Sequence, residues 1–387
     1  MKRPDSKITQ DILEQLPSPC WLLEEELLEY NLKLLKTISE QTDTKILLAL
    51  KGFSFWQEAD MIGEYLDGCS ASGLNEALLS NKYFKKETHT YSPAFKKSEI
   101  EQIASISNHM IFNTPVQIKE YHAKARESNP NISIGLRVNP ESSAAPTELY
   151  NPCSPYSRLG TTLKNMDNSI LKNIDGLHMH ALCEESAESF EYVLDAFESK
   201  FGRYLSSIKW VNFGGGHHIT KDGYDIEKLI LILNNFKSRY PHLELFIEPG
   251  EAVGWQSGVL VSTILDIMHN GIDIAILDTS AEAHMPDTII MPYHAEVRGA
   301  ADANEKLYTY RLAGNTCLAG DIMGDYSFDA PLNIGDKIIF EDQMHYTMVK
   351  STTFNGISLP SIAILKRDGT VDIVREFDYR DFESRLG

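Results

Sequence analysis

KILLALK, residues 45–51, decides the fold: a short apolar run of strand length that ends on a lysine. Working outward, comparable runs recur at GEYLDG (63–68), THTYS (88–92), HMIFN (109–113), ISIGLRV (132–138), DGLHMHA (175–181), IKWVNF (208–213) and LELFIE (243–248). Amphipathic stretches lie between them, among them NEALLSNKYF (75–84), SFEYVLDAFESKF (189–201) and DIEKLILILNNFKSRY (225–240). Strands alternating with helical segments spell repeated βα units around a parallel sheet, and eight such runs are what a closed barrel requires. The long connection from Pro140 to Gly160 is rich in Ser, Ala, Pro and Asn, too polar for a core element, and loops of that length are commonly functional.

After Gly258 the rhythm changes. VLVSTILDIM, DIAILDT, KIIFEDQ, HYTMVK and SIAILKRDGTVDIVREF read as strands without long helices between them, which predicts a second, all-β domain. SPCWLLEEE (18–26) reads as a strand that precedes the barrel and joins this second domain.

A chain of 387 residues is long enough for two domains, and 42% hydrophobic with 24% charged residues is an ordinary globular composition. No stretch approaches the apolar length of a membrane span, and the N-terminal MKRPDSKITQ lacks the apolar core of a secretory signal, so a cytoplasmic location without membrane contact is expected. The five cysteines, Cys20, Cys69, Cys153, Cys183 and Cys317, are scattered and form no CxxC pair, which argues against a disulfide framework and against structural zinc. A formal charge of −19 repels nucleic acid and favours cationic ligands.

In a β/α barrel the reactive face lies at the C-terminal ends of the strands. Those ends carry Lys51, Arg137, His178 with His180, Gly214-Gly215-Gly216, and Glu248-Pro249-Gly250. A lysine desolvated in the barrel mouth has a lowered pKa and an amine free for Schiff-base formation, although a strand-end lysine can equally extend into solvent. Three glycines let backbone approach an anion closely, or serve only a tight turn. Glu248 can pair with a pyridinium nitrogen, or cap a turn. His178 and His180, two apart on a strand, share a face and could bind metal, but the further ligands that a barrel metal site needs are missing from neighbouring strand ends, so no metal is expected there. His180 is better placed to stack on a cofactor ring. In the second domain, GNTCLAGDIMGD (314–325) sets Cys317 and Asp321 in a glycine-bounded loop, and Tyr346 of HYTMVKSTTFNG offers a hydroxyl to a phosphate; a buried structural cysteine and a packed strand aromatic are the alternatives.

Taken in order, LLALK, GCSASGLNEALL, LRVNP, SRLG, GLHMH, NFGGG, EPG, GNTC, HYT and STTFNG make the chain resemble, over nearly its whole length, the fold-type III pyridoxal 5′-phosphate (PLP) decarboxylases that include the ornithine and diaminopimelate enzymes. The resemblance implies a PLP-binding (β/α)8 barrel of the alanine racemase type at residues 27–258, with residues 1–26 and 259–387 forming a C-terminal all-β domain. It implies that Lys51 carries the cofactor, His180 stacks on its ring, Glu248 meets its pyridine nitrogen, and Arg137, Gly214 to Gly216 and Tyr346 complete the cofactor site. Cys317, reaching the site of the other subunit of a homodimer, would assist protonation. Three departures stand out: Glu251 replaces the arginine of EPGR, Cys183 replaces a phosphate-contacting serine, and Leu318 replaces the glutamate of CESGD. The first two bear on how phosphate is held; the third disfavours diaminopimelate. ALCEE (181–185), AHMPD (283–287) and CLAGD (317–321) resemble the carboxynorspermidine branch. The implied reaction is decarboxylation of carboxynorspermidine or carboxyspermidine, with Asp321, Glu184, His284 and Asp287 as seats for ammonium groups. Decarboxylation of another basic amino acid, a metal-dependent barrel hydrolase built on HxH, and a PLP-binding regulatory protein are the rival readings.

Overall fold

A computed structural model describes residues 2–145 and 147–387. The chain forms two compact units, Asn31–Val253 and, second, the segment up to Tyr30 together with Gly254–Gly387.

Strand β1 (Cys20–Glu24) belongs to the second unit. The first is a barrel of eight parallel strands, β2 (Thr44–Ala49), β3 (Gly68–Ala71), β4 (Glu87–Tyr91), β5 (His109–Phe112), β6 (Ser133–Arg137), β7 (Gly176–His178), β8 (Trp210–Asn212) and β9 (Glu244–Ile247), each paired with the next and β9 closing on β2. Seven of the eight expected runs fall on these strands. GEYLDG does not: the helix Ala59–Tyr65 occupies its first half, and the strand starts only at Gly68. The apolar residues of ADMIGEY serve a helix face, with Met61 and Ile62 buried, and Gly68 opens the strand because a Cβ there would strike the backbone of Glu87 on β4.

Inside the barrel Trp210 is buried. Its indole lies over Gly135 and Gly176, where an added methyl would collide with the ring (2.5 Å from Trp210 Cη2 at Gly135), and its Nε1–H donates to Ser133 Oγ at 2.7 Å. Leu47, Ile111 and Phe246 complete the filling. Outside, the helix Ala187–Phe201 turns Phe190, Val193, Leu194, Phe197 and Phe201 inward, at roughly 1.5–3 kcal/mol for each large side chain buried. Ser186 caps it by accepting from Ser189 N, and Asp225 caps the helix Ile226–Arg239 in the same way.

The second unit is built on a nine-stranded sheet. Its remaining strands are β10 (Gly258–His269), β11 (Asp273–Leu277), β12 (Ala301–Asp302), β13 (Tyr308–Ala313), β14 (Ile322–Phe328), β15 (Lys337–Glu341), β16 (Ser361–Leu365) and β17 (Val371–Arg375), in the order β12-β14-β13-β11-β10-β1-β16-β17, with β15 also on β10. SPCWLLEEE contributes a strand to this sheet: β1 runs antiparallel to β10 and parallel to β16. HYTMVK is not a strand. It forms the one-turn helix Tyr346–Val349, its backbone satisfied locally by Lys350 N donating to Tyr346 O at 2.9 Å. Strands β13 and β14, absent from the sequence reading, pair in antiparallel and bracket the loop that carries Cys317.

Candidate active site

The C-terminal ends of the barrel strands bring Lys51, Arg137, His178, His180, Gly214 to Gly216 and Glu248 to one edge of one sheet. Lys51 follows β2 by two residues, in a turn where Gly52 N donates to Ala49 O at 3.0 Å. Gly52 must lack a side chain, since a Cβ would stand 2.9 Å from Glu251 N. Lys51 is exposed yet ringed by protein, a side chain standing in an open recess. Lost hydration, then the Arg137 guanidinium, push its amine below the usual range, against the pull of Glu248.

Glu248 is buried beyond the end of β9 and is held by two side chains. Asn212 Nδ2 donates to Oε1 at 2.6 Å, and His178 Nε2 faces Oε2 at 3.4 Å. Burial alone would raise the carboxyl, but His178, His89 and the Asn212 hydrogen bond outweigh it and hold Glu248 at about 2. Burial pushes His178 down against the pull of Glu248. The result is an ionised carboxylate in a buried wall, the partner that a protonated ring nitrogen requires.

His180 lies just past the end of β7, so the two histidines of HxH have separate surroundings. Its Nδ1 accepts from Gly215 N at 2.9 Å, its carbonyl accepts from Arg137 Nη2 at 3.0 Å, and burial followed by Lys51 and Arg137 drives its pKa well down. Arg137 also stacks over the Tyr91 ring at 4.6 Å. The glycines earn their place by close approach: Gly214 and Gly216 have φ of +71° and +91°, and a Cβ on Gly215 or Gly216 would strike the carbonyls of Glu248 or Leu182. Two of the amides expected to face a phosphate are otherwise engaged, Gly214 N with Asn212 Oδ1 and Gly215 N with His180 Nδ1. An amine in a recess, an anionic carboxylate and a side-chain-free backbone approach together fit a pyridoxal group.

At the departures, His218 Nε2 meets Glu251 Oε2 at 3.4 Å, and Glu184, exposed and at φ +58°, offers a carboxylate oxygen within 4.8 Å of theirs. Burial, Glu184 and Glu251 raise the Cys183 thiol to about 11, so it stays protonated.

In the second unit Cys317 is exposed, and its N–H donates to Asn355 Oδ1 at 2.7 Å. Asp321 is buried and saturated: Oδ1 accepts from Ser280 Oγ and the amides of Ala281 and Glu282, Oδ2 from Thr316 N and Oγ1. It ties the Cys317 loop to the turn at Ser280, rather than presenting a free carboxylate to an ammonium. His284 is sealed in the core, with Nδ1 on Thr279 Oγ1 at 2.9 Å, and burial lowers it to about 4. Asp287 is paired with Lys350, both oxygens at 2.7 Å, and Lys350 also lies over the ring of Tyr346 at 5.3 Å. Glu282, which no motif flagged, is half-buried; its Oε2 is sealed with no hydrogen-bond partner, and burial and Asp321 raise its pKa.

A barrel with a recessed strand-end lysine facing a buried anionic carboxylate, joined to a sheet domain, is the architecture of the pyridoxal-dependent decarboxylases. Residues 41–343 match the family described as "Pyridoxal-dependent decarboxylase, C-terminal sheet domain", and the chain belongs to that family. It is 52% identical to the carboxynorspermidine/carboxyspermidine decarboxylase of Campylobacter jejuni, over 96% of this chain and 99% of that one. It is 44% identical to the carboxyaminopropylagmatine decarboxylase of Synechocystis, over 97% of each chain. The crystal structure of the Campylobacter jejuni carboxynorspermidine decarboxylase complexed with norspermidine superposes with a TM-score of 0.89 at 50% identity, covering 96% of this chain and 100% of that one. Among the described residues no helix is long and apolar enough to cross a membrane.

Proposed function

We propose that this chain decarboxylates carboxynorspermidine or carboxyspermidine, releasing CO2 and leaving norspermidine or spermidine, as a PLP-dependent homodimer in the cytoplasm. The observation that carries the reading is the buried Glu248 carboxylate, bonded by Asn212 Nδ2 at 2.6 Å and faced by His178 Nε2 at 3.4 Å, in the same barrel as the strand-end Lys51. When bound, PLP supplies an electron sink for the pair left behind by CO2. Lys51 Nζ would hold the cofactor. Glu248 would keep a proton on the ring nitrogen, and His180, whose Nδ1 accepts from Gly215 N, would present its ring face. Gly214 to Gly216 let backbone close on the phosphate side, with Arg137 holding His180 and Tyr346 contributing a hydroxyl. Lys51 or Cys317 returns a proton to the α-carbon. Glu184 is a carboxylate suited to an ammonium group; Asp321 positions the Cys317 loop. Five free cysteines accord with a reducing compartment.

The substrate choice is supported by the 52% identical relative, while the relative at 44% makes carboxyaminopropylagmatine the competing substrate. The shared-site homodimer is tested by mixing Lys51→Ala with Cys317→Ala subunits, each inactive alone. With free exchange, about a quarter of wild-type activity returns in an isologous dimer; no recovery despite demonstrated exchange would refute the shared site.

A further inference from the structure

Tyr91 ends β4 at the same edge of the barrel as Lys51 and is not among the groups that would hold the cofactor. Its ring faces inward, against the cluster of Leu47, Ile111, Trp210 and Phe246. The Arg137 guanidinium lies over that ring, 4.6 Å from its centre, and the His178 imidazole stacks on it at 5.5 Å and 22°. The hydroxyl is fixed as well. It donates to Asn113 Oδ1 at 2.9 Å, and Asn113 in turn donates from Nδ2 to Arg158 O at 2.8 Å and accepts from Gly160 N at 2.7 Å. Burial raises the phenol against the pull of Arg137, so the hydroxyl keeps its proton and remains a donor.

Arg137 is a buried cation, and among the described residues its partners are uncharged: Nη2 donates to His180 O at 3.0 Å, and the Tyr91 ring lies beneath the guanidinium. A buried charge needs an opposing one, and the negative face of an aromatic ring supplies it without adding an anion. The difference matters at Lys51. That amine is faced by Arg137, His178 and His180, which push a proton away, and by Glu248, Cys183 and Glu76, which draw one in. A carboxylate beside Arg137 would cancel its push, whereas a ring leaves the whole positive charge acting on the amine.

We propose, resting on the reading of Lys51 as the lysine that holds the cofactor, that Tyr91 is its positioning residue. The Tyr91 ring seats Arg137 so that the guanidinium keeps its full charge toward Lys51, and the hydrogen bond to Asn113 holds the ring in that place.

The full-length protein, stripped of cofactor and offered pyridoxal 5′-phosphate over a range of pH, takes it up through the uncharged amine of Lys51. The pH midpoint of the uptake rate, read by visible absorbance, therefore follows that amine. Tyr91→Leu removes the ring and lets Arg137 drift, so its midpoint should rise by about one pH unit. Tyr91→Phe keeps the ring and should stay near the wild-type midpoint. Arg137→Met should raise the midpoint at least as far as Tyr91→Leu, and the double variant should go no further than Arg137→Met, because both changes remove the same charge. Tm on the same samples checks folding, and Tyr91→Met carries the same expectation should Tyr91→Leu not fold. A folded Tyr91→Leu or Tyr91→Met with the wild-type midpoint would overturn the proposal, as would shifts that add in full in the double variant. Uptake by Lys51→Ala equal to that of wild type would instead remove the cofactor lysine itself, and the role of Tyr91 with it.

Discussion

Replacing Glu248 by Gln probes the chemistry at its most exposed physical assumption. The amide keeps the shape and can still accept from Asn212 Nδ2, now 2.6 Å from Oε1. On the other side, the amide NH2 would face His178 Nε2, and because His178 Nδ1 has no partner, the ring can shift its proton and accept. The fold should therefore survive, and the loss is the charge itself. A carboxylate held at about 2 keeps a ring nitrogen protonated, while a neutral amide does not. A charge-assisted hydrogen bond contributes about 1.5–3 kcal/mol, which at 1.36 kcal/mol per decade is roughly a 10- to 150-fold loss in kcat. The assay is CO2 release with cofactor content measured on the same sample. A Glu248→Gln enzyme with full cofactor and kcat within twofold of wild type would refute the electron-sink argument.

Two further outcomes follow from the second unit. His284 is neutral when folded, at about 4 against an ordinary 6.5, so below 6.5 the unfolded chain takes up a proton that the folded chain refuses. Stability is intact above pH 6.5 and falls toward pH 4, by at most about 3 kcal/mol for this residue, and the slope of Tm against pH in that window should be shallower in His284→Leu; parallel curves would count against it. Asp321→Asn turns an amide nitrogen toward Thr316 donors, so kcat should fall about tenfold with KM and cofactor content little changed. A rise in KM at constant kcat would instead make Asp321 an ammonium seat.

The barrel was legible because its parallel strands are continuous apolar runs, and Lys51 and Glu248 stood out as polar groups at their ends. The second strand was misplaced because its real start is a glycine, chosen for the approach of Glu87 and not for strand propensity. HYTMVK carries strand-forming residues but closes on itself as one helical turn. The link from His178 through Glu248 to Asn212 joins three strands and leaves no trace in local spacing. HxH looked like a pair on one face, yet β7 ends at His178 and leaves His180 to the loop. Asp321 and Asp287 read as available acids, because sequence shows a carboxylate's charge but not the donors folded around it.

The most direct test of the account is kcat/KM for CO2 release from carboxynorspermidine, carboxyspermidine, carboxyaminopropylagmatine, diaminopimelate, ornithine and arginine under one set of conditions. A distal carboxylate would meet Glu184 as a like charge, whereas a distal ammonium pairs with it for about 1.5–3 kcal/mol. Carboxynorspermidine or carboxyspermidine should therefore exceed diaminopimelate by about a hundredfold or more and stand first in the panel. Equal or higher kcat/KM for any of the other four substrates than for both carboxypolyamines would contradict the assignment.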